Sequence, residues 1–219
     1  MNNFDSRKYK NANIAILGTT GAGKTYTMQC MALRMRSQKT QVFIIAPDKG
    51  HEFKRACDGI GGQYVKISAG SSQNINVMEI RKKDDEAALL IDGDSKVAIL
   101  TNKIQQLHTF FTLLIRDITN EERQLLDEAL VETYAEFGIT IDNDSLIDPK
   151  NPSKYKQMPI LGDLHRHLHS LGPRAERLYN ILSRYVTGSA SSFNGHTNVN
   201  LDNQYIVLDL SLIHISEPT

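Results

Sequence analysis

The sequence has little of what marks several protein classes. Its two cysteines, Cys30 and Cys57, lie far apart and outside any C-x-x-C or Cys/His pattern, which indicates a reducing compartment and two small buried apolar residues. No apolar run approaches the ~20 residues that span a bilayer, and the first residues lack the apolar stretch of a signal peptide. We therefore expect a soluble, cytoplasmic protein.

The chain also lacks net charge. Its 25 basic and 25 acidic residues cancel, and the sequence pI is about 7.1. A protein that wraps nucleic acid usually carries an overall positive charge, which is absent here, although a local basic patch is not excluded. The remaining composition is ordinary for a globular protein, and 219 residues suffice for one large domain or a domain with an insertion. We detect no internal repeat.

One motif stands out against this background. Residues 18–25, GTTGAGKT, match G-x-x-x-x-G-K-[ST] at every fixed position, between an apolar run at 13–17 and a helical pattern. This order predicts a strand, a phosphate-binding loop and a helix. The three glycines permit positive φ angles that turn backbone N–H groups towards phosphate oxygens at the positive end of the helix.

The motif predicts a nucleoside triphosphate with Mg²⁺ as the ligand. Lys24 would face the β- and γ-phosphates as the catalytic residue, and the Thr25 hydroxyl would ligate Mg²⁺. The other interpretation is a glycine-rich turn that binds nothing. The predicted nucleotide-binding residues are Gly18, Thr19, Thr20, Gly21, Ala22, Gly23, Lys24, Thr25 and Tyr26.

The first half of the chain reads as an α/β pattern. Met28, Met31, Ala32 and Met35 form one stripe of the helix after the loop, which predicts a buried face. The apolar run 42–45 predicts a strand covered on both faces, followed by a turn and a short helix to about residue 58. Residues 64–67 predict another strand and 74–78 a shorter extended piece. Ligands gather at the carboxyl ends of strands in open α/β sheets, which would place Asp48, Lys49 and Glu52 on the side of the nucleotide. The alternative is that these residues form only a solvated loop and a helix cap.

The second half is mostly helical. Apolar residues recur at helical spacing from 97 to 114 and again from 126 to 137, where Asn120 is the predicted N-cap and Gly138 the stop. We expect an antiparallel helical hairpin, a surface loop at 142–157 and two more helices, at 159–171 and 174–185. A small-residue loop at 187–200 leads to a last strand at 205–209. The helices read as an insertion at about 86–185.

Three histidines on one predicted helix raise the question of a metal. His165 and His169 are four residues apart and share a face. Apart from Asp163, no carboxylate or cysteine stands nearby at ligand spacing, so we interpret these histidines as solvated rather than metal-binding.

With these landmarks, the chain resembles the conjugation ATPases of type IV secretion systems, P-loop proteins related to DNA translocases, and in particular those of Gram-positive conjugative transposons. The resemblance runs from about residue 11 to 211, and only the phosphate loop is specific by itself. The stretches that carry it are NANIAILGTTGAGKT, VFIIAPDKGHEFKRACDGIGG, INVMEIRK, ERQLLDEALVETY, MPILGDL, GSASSFNGHTNV and YIVLDLS.

The resemblance implies a RecA-like fold, with a mainly parallel sheet flanked by helices. It also implies a ring-forming, usually hexameric motor at the cytoplasmic face of the membrane, which hydrolyses ATP to assemble the transfer channel or to drive passage through it. ATP and Mg²⁺ would be held by Lys24 and Thr25, the partners would be channel components, and any contact with DNA would be indirect. An arginine finger from a neighbouring subunit is expected, with Arg116, Arg123, Arg174, Arg177 and Arg184 as candidates.

Two departures from this family pattern predict a truncated protein. The family carries a domain before the phosphate loop, whereas only ten residues, which we expect to be flexible, precede Asn11 here. The family also has an apolar strand ending in Asp-Glu, while Asp209 ends an apolar strand but is followed by Leu210. At most, Asp209 would be an acid near the metal without its partner base.

The C-terminus offers an explanation for the second departure. Residues 211–219, SLIHISEPT, read like the in-frame translation of a transposase-type sequencing adapter; a genuine loop and short strand is the alternative. The P-loop ATPase domain would then span 11–210, and the fragment would bind nucleotide better than it hydrolyses it.

Two further hypotheses compete with the motor interpretation. The chain could be a DNA translocase or helicase that acts directly on DNA, which predicts salt-dependent DNA binding. It could also be a nucleotide-binding assembly module without turnover, which steady-state phosphate release would distinguish from an enzyme.

Overall fold

The architecture is an α/β unit with an attached helical region. A computed structural model describes residues 13–47, 49–68, 71–82, 99–188 and 191–210. The expectations for the first ten residues, for Asp48, for the beginning of the long helix and for the tail at 211–219 lie outside these ranges. In chain order the helices and strands are α1 Lys24–Ser37, β1 Val42–Ala46, α2 Gly50–Gly59, β2 Gln63–Lys66, α3 Ile99–Leu114, α4 Asn120–Glu136, β3 Ile147–Asp148, β4 Asn151–Tyr155, α5 Leu161–Ser170, α6 Glu176–Val186 and β5 Tyr205–Asp209.

The main sheet has three parallel strands in the order β1-β5-β2, so the predicted parallel sheet flanked by helices is confirmed. The last strand of the chain lies in the middle, where β-branched and aromatic residues are buried on both faces. Ala46 and Lys66 both align with Asp209 across the sheet. The carboxyl ends of the three strands therefore meet at one edge, where ligands gather in open α/β sheets.

One face of this sheet packs against α1 and α2. Their shared core consists of Ala32, Val42, Ala46, Phe53, Cys57, Tyr205 and Val207. Burial raises the pKa of Cys57 to about 11, so its thiol is a neutral core group. On the opposite face of β1, Phe43 and Ile45 are 53% and 67% exposed. The prediction that this strand is covered on both faces is thus wrong for the described residues.

Residues 13–17 do not form the predicted strand before the phosphate loop. Ile14 and Leu17 are 50% and 92% exposed. A strand exists through its hydrogen-bond ladder, and no described strand pairs with this run. Apolar composition alone therefore misidentified it. The predicted stripe on α1 is also only partly right: Ala32 is buried, whereas Met28 is 47% exposed.

The helical region has a separate core formed by α3 to α6. Contacts between His108 and Asp127 and between Thr112 and Arg123 show that α3 and α4 run antiparallel, as expected, because one residue number rises as the other falls. The cap of α4 is Thr119 rather than Asn120. Its hydroxyl accepts from the Glu122 N–H, and the Glu122 carboxylate accepts from the Thr119 N–H.

The predicted surface loop at 142–157 contains regular structure that its composition hid. A short 3-10 helix, Asn143–Leu146, leads into the antiparallel pair β3 and β4. Asp148 and Asn151 face each other across the turn, and their side-chain oxygens accept backbone N–H groups of Lys150 and Ser153. Asn and Asp side chains bond their own backbone in this way, and so favour hairpin turns as well as open loops.

The described part of the predicted loop, residues 187–188 and 191–200, forms a polar seam between the two cores. Asn74 and Asn198 exchange hydrogen bonds across it, and the N–H of Asn76 donates to the hydroxyl of Thr197. The hydroxyl of Ser192 donates to the carbonyl of Ser68. Asn76 is buried, and its amide donates to the carbonyl of Pro159 while its oxygen accepts the N–H of Met78. This seam fixes the helical region against the carboxyl edge of β2. Among the described residues, no helix is both long and apolar enough to cross a bilayer.

Candidate functional site

The phosphate loop has the backbone geometry that its glycines predict at two of three positions. Gly21 and Gly23 have φ angles of 82° and 78°, in the left-handed region that favours glycine. Gly18 has no positive φ, so the conformational freedom of glycine is not used at that position. Gly23 is the N-cap of α1, which means that the left-handed turn leads directly into the amino end of the helix.

The electrostatics of this helix end favour an anion. The first turn of α1 carries no acidic residue, while its last turn carries Arg34 and Arg36. The N–H groups and the partial positive charge at the amino end are therefore not offset by a nearby carboxylate on the same helix. The loop from 18 to 23 is exposed, whereas Lys24 and Thr25 are half-buried. A triphosphate could thus reach the loop from solvent.

Lys24 folds back over the loop that precedes it. Its Nζ donates to the carbonyl oxygens of Gly18 and Thr19, at 2.7 Å each. The ammonium group is therefore held above the turn formed by residues 18–23, where the motif places the phosphates. Thr25, in the first turn of α1, supplies the hydroxyl that suits a hard cation such as Mg²⁺. One ammonium, one hydroxyl and a left-handed loop form a donor set that fits Mg·ATP.

Tyr26 is 72% exposed. The neighbouring Cys30 thiol, one helical turn further along α1, raises the pKa of Tyr26. Because Tyr26 is exposed, a nucleotide could reach its aromatic ring. The assignment of Tyr26 to the nucleotide-binding residues stays a prediction.

The carboxyl edge of the sheet is linked to the phosphate-loop helix. Nε2 of Gln29, on α1, donates to the carbonyl of Glu52 at 2.8 Å, and the Glu52 carboxylate lies 3.6 Å from Nζ of Lys49. Residues 49 and 52 are therefore at the edge where the sequence predicts them, next to α1. Gln29 was missed by sequence reasoning, because nothing in the motif marks a residue five positions after Lys24.

The sequence suggests Asp209 at most as an acid near the metal, whereas the structure shows it buried against Tyr64. Its side chain is 2% exposed and accepts a hydrogen bond from the Tyr64 hydroxyl on β2. Burial, followed by this bond, raises the pKa of Tyr64 well above its usual range. The signal that could have revealed the pair is the strand register, since Tyr64 and Asp209 lie on the same face of neighbouring strands.

The histidines of α5 are engaged with protein groups. His165 stacks on Tyr179 with ring centroids 4.1 Å apart and contacts the Ser183 hydroxyl at 2.8 Å. Burial lowers the pKa of His165. His167 lies between Glu132 and Glu136, at 2.9 and 3.2 Å. Among the residues that the structure describes, no group of three or more metal-capable side chains comes together.

Two of the candidate arginine fingers already have intramolecular partners. Nη1 of Arg177 contacts both carboxylate oxygens of Glu122 at 2.6 and 2.7 Å, and Arg123 donates to the hydroxyl of Thr112. Arg177 also binds the carbonyl of Arg116. The Glu122–Arg177 pair joins α4 to α6, and the Arg123–Thr112 contact joins α4 to α3.

A basic groove of about 440 Å³ lies beside the β3–β4 hairpin. Cations from two separate segments line it: Arg81 and Lys82 from one, and Lys154 and Lys156 from β4 and the residue after it. Glu79 is the one acid in its lining, and Tyr155 adds an aromatic side chain. The neutral composition of the whole chain therefore conceals a local positive patch.

Comparisons with known proteins agree with the fold and the loop. A family model described as the central domain of the helicase HerA matches residues 3–215. The structure of VirB4 of Thermoanaerobacter pseudethanolicus is similar, with a TM-score of 0.71 and 31% sequence identity over 94% of this chain. This chain spans 52% of the length of that VirB4 chain. A comparison with curated proteins gave no match.

These matches confirm the recognised family of secretion and conjugation ATPases related to DNA translocases. Three features agree with this family: the match over nearly the whole length, the parallel sheet, and the left-handed phosphate loop at the amino end of a helix. The chain belongs to the HerA helicase central-domain family of P-loop ATPases.

Proposed function

We propose that this chain is the ATP-binding part of a motor ATPase that serves type IV secretion and conjugative transfer. It would couple ATP hydrolysis to assembly of the channel or to the passage of DNA or protein. The observation that carries the proposal is the phosphate loop, with Gly21 and Gly23 left-handed and Lys24 over the turn. Family membership and the likeness to VirB4 support the motor role.

In this proposal residues 18–26 form the nucleotide site. Backbone N–H groups of the loop bind the phosphates, and the exposed Tyr26 lies beside them. Lys24 exchanges its two carbonyl partners for oxygens of the β- and γ-phosphates, where its charge offsets the negative charge that develops as water attacks in line. Thr25 would hold Mg²⁺, which when bound neutralises charge on the phosphate oxygens.

The experiment is calorimetric titration of the purified protein with Mg·ATP, followed by measurement of steady-state phosphate release. Heat of binding at one site, competed by ADP, is expected. A folded sample that gives no heat would overturn the proposal. Binding without phosphate release would favour the alternative of a nucleotide-binding assembly module.

The site would work within an assembly. We propose a homo-oligomer, hexameric in the complete protein, that contacts channel components at the cytoplasmic face of the membrane. The likeness to VirB4 over nearly all of this chain supports it. Within the chain, residues 11–210 would be the ATPase domain, with the helices of about 86–185 as an insertion and with the ends at 1–10 and 211–219 outside it. Size-exclusion chromatography with light scattering, with and without Mg·ATP, tests the assembly.

Direct action on DNA is the second candidate, and the basic groove favours it. Exposed lysines from two segments, Lys82 and Lys154, line the groove around Tyr155 and suit a phosphate backbone. The test is binding of a fluorescent single strand at several salt concentrations. Replacing both lysines with Ala should lower the slope of log K against log salt by about 1.4, while replacing Lys39 and Lys54 should not. An unchanged slope in the first variant would exclude this groove.

A further inference from the structure

The middle strand of the sheet ends in a buried carboxylate. Asp209 is 2% exposed, and no other Asp or Glu among the described residues is buried. Removing a carboxylate from water is costly unless protein groups replace the water. Asp209 lies at the carboxyl edge of the sheet, next to α2. The unfavourable free energy of burying its carboxylate must be offset by contacts with protein groups.

Two contacts of the Asp209 carboxylate come from different elements. The hydroxyl of Tyr64, on β2, donates to the Asp209 carboxylate. On the other side lies Gly50, the first residue of α2: a Cβ added there would fall 2.2 Å from the carboxyl carbon of Asp209. No side chain fits between them, so the carboxylate packs against the backbone at the amino end of α2. A negative charge at that end is stabilised by the helix dipole.

The same helix end is also held from the side of the nucleotide. Gln29 of α1 donates to the carbonyl of Glu52, which belongs to the first turn of α2. α1 begins at Lys24, so the phosphate loop, α1, the first turn of α2 and Asp209 form one connected series of contacts. Any shift of the amino end of α2 would pull on the helix that carries the loop.

We propose that Asp209 is a positioning residue of the nucleotide site, which anchors the amino end of α2 and, through Glu52 and Gln29, holds α1 and the phosphate loop in place. This inference rests on the proposed binding of Mg·ATP. It assigns the Asp209 carboxylate to contacts with Tyr64 and Gly50 within the fold, and not to the metal.

Asp209→Asn tests the anchor because it keeps the size of the side chain and removes its charge. We expect affinity for Mg·ATP and affinity for ATP in EDTA to fall by the same factor, about fivefold to tenfold, because the loop that binds both is displaced. A metal ligand would behave differently: affinity for Mg·ATP would fall while that for ATP in EDTA stayed the same. That result would overturn the proposal, as would unchanged affinity for both. Asp58→Asn, at the exposed end of α2, is the matched control.

Two more variants keep the test decisive if Asp209→Asn folds poorly. Tyr64→Phe leaves the carboxylate in place and removes its donor, so a smaller drop in the same direction is expected. Gln29→Ala should also weaken binding, and its combination with Tyr64→Phe should cost less than the sum of the two, because both act on one series of contacts. Strict additivity would overturn the connection through α2.

Hydrogen exchange separates failure of this inference from failure of the proposed function. In the protein without nucleotide, the amides of residues 50–53 should exchange faster in Tyr64→Phe than in the wild type, because the anchor of the helix end is weakened. This readout does not require ATP binding. Wild-type protein that binds no Mg·ATP would remove the proposed function, and equal exchange rates in the two proteins would remove the anchor.

Discussion

The ammonium nitrogen of Lys24 lies 2.7 Å from the carbonyl oxygen of Gly18, at the opposite end of the same loop. A second bond, to the carbonyl of Thr19, has the same length. The lysine side chain thereby closes the loop and supplies hydrogen-bond donors to two of its carbonyl groups. The positive φ angles of Gly21 and Gly23 set the backbone path of the remaining loop. Phosphate binding must exchange these two bonds for bonds to phosphate oxygens, so the cation is already close to its target.

Replacing Lys24 with Ala should abolish measurable binding of Mg·ATP while the fold persists. Hydrogen bonds to charged groups are worth about 1.5–3 kcal/mol each. In the proposed site Lys24 would face two phosphates, so we expect a loss of about 100-fold or more. Titration calorimetry measures the affinity and circular dichroism the fold. Lys150→Ala, at an exposed hairpin turn, is the control. Wild-type affinity in the Lys24 variant would refute the assignment of the site.

The two ends of the loop should respond differently to an added methyl group. Gly23 has a φ of 78°, and a Cβ there would meet no atom within 4 Å, so the penalty is in the backbone alone. Left-handed conformations cost other residues about 1–2 kcal/mol, so Gly23→Ala should destabilise the loop and the start of α1 by about that amount.

Gly18→Ala is the matched comparison. Its Cβ would lie 3.4 Å from the Cβ of Ala22, an ordinary contact, and its φ is not positive. We expect thermal stability within about 0.5 kcal/mol of the wild type. Hydrogen exchange at the first turn of α1 and thermal denaturation report both effects. Equal destabilisation by the two substitutions would contradict the difference in backbone geometry.

Much of the fold follows from local sequence signals, and the failures have a common cause. The periodicity of α3 and α4 and the stop at Gly138 encode local structure, and the structure confirms them. The strand predicted at 13–17 and the buried position of Met28 depended on distant partners, which an apolar residue cannot specify by itself.

The residues of the candidate site also fall into those that local sequence marks and those that only tertiary contacts bring together. The motif predicts roles for Lys24 and Thr25 because it fixes their spacing along one loop. It could not identify Gln29, Tyr64 or the anchoring contact of Asp209, since these come together only through strand order and helix packing. The hydrogen bonds of the seam could not be predicted for the same reason, because their partners lie far apart in sequence: Asn76 and Thr197 are 121 positions apart.

Asn76→Ala should be among the most destabilising single substitutions in the polar seam. The side chain is buried, and its removal leaves the carbonyl of Pro159 and the N–H of Met78 without their partner. An unsatisfied buried group costs about 1–3 kcal/mol, so two such groups predict a loss of about 2–6 kcal/mol in the free energy of unfolding. Urea denaturation measures it. Asn180→Ala, on the exposed side of α6, should change it by less than about 0.5 kcal/mol. Equal effects would show that the seam contributes no specific stability.

The acid sensitivity of the fold should depend on Glu122. Burial opposes ionisation of this carboxyl, but the Thr119 N–H, Arg177 and the Thr119 hydroxyl outweigh it, and the pKa of Glu122 is lowered. A carboxyl with a lower pKa in the folded state than in the unfolded state binds fewer protons when folded, so stability rises with pH between the two values.

The stabilisation by Glu122 is therefore complete above the unfolded pKa of about 4.3 and is lost as pH falls through the lower folded value. Glu122→Gln should reduce thermal stability at pH 7 and flatten the decline of Tm between about pH 5 and pH 3. Glu121→Gln, one residue earlier in the same helical turn and exposed, should leave that decline as in the wild type. If both variants kept the wild-type slope, the ion pair of Glu122 with Arg177 would not be what links α4 to α6, and the acid sensitivity would have to come from another carboxylate.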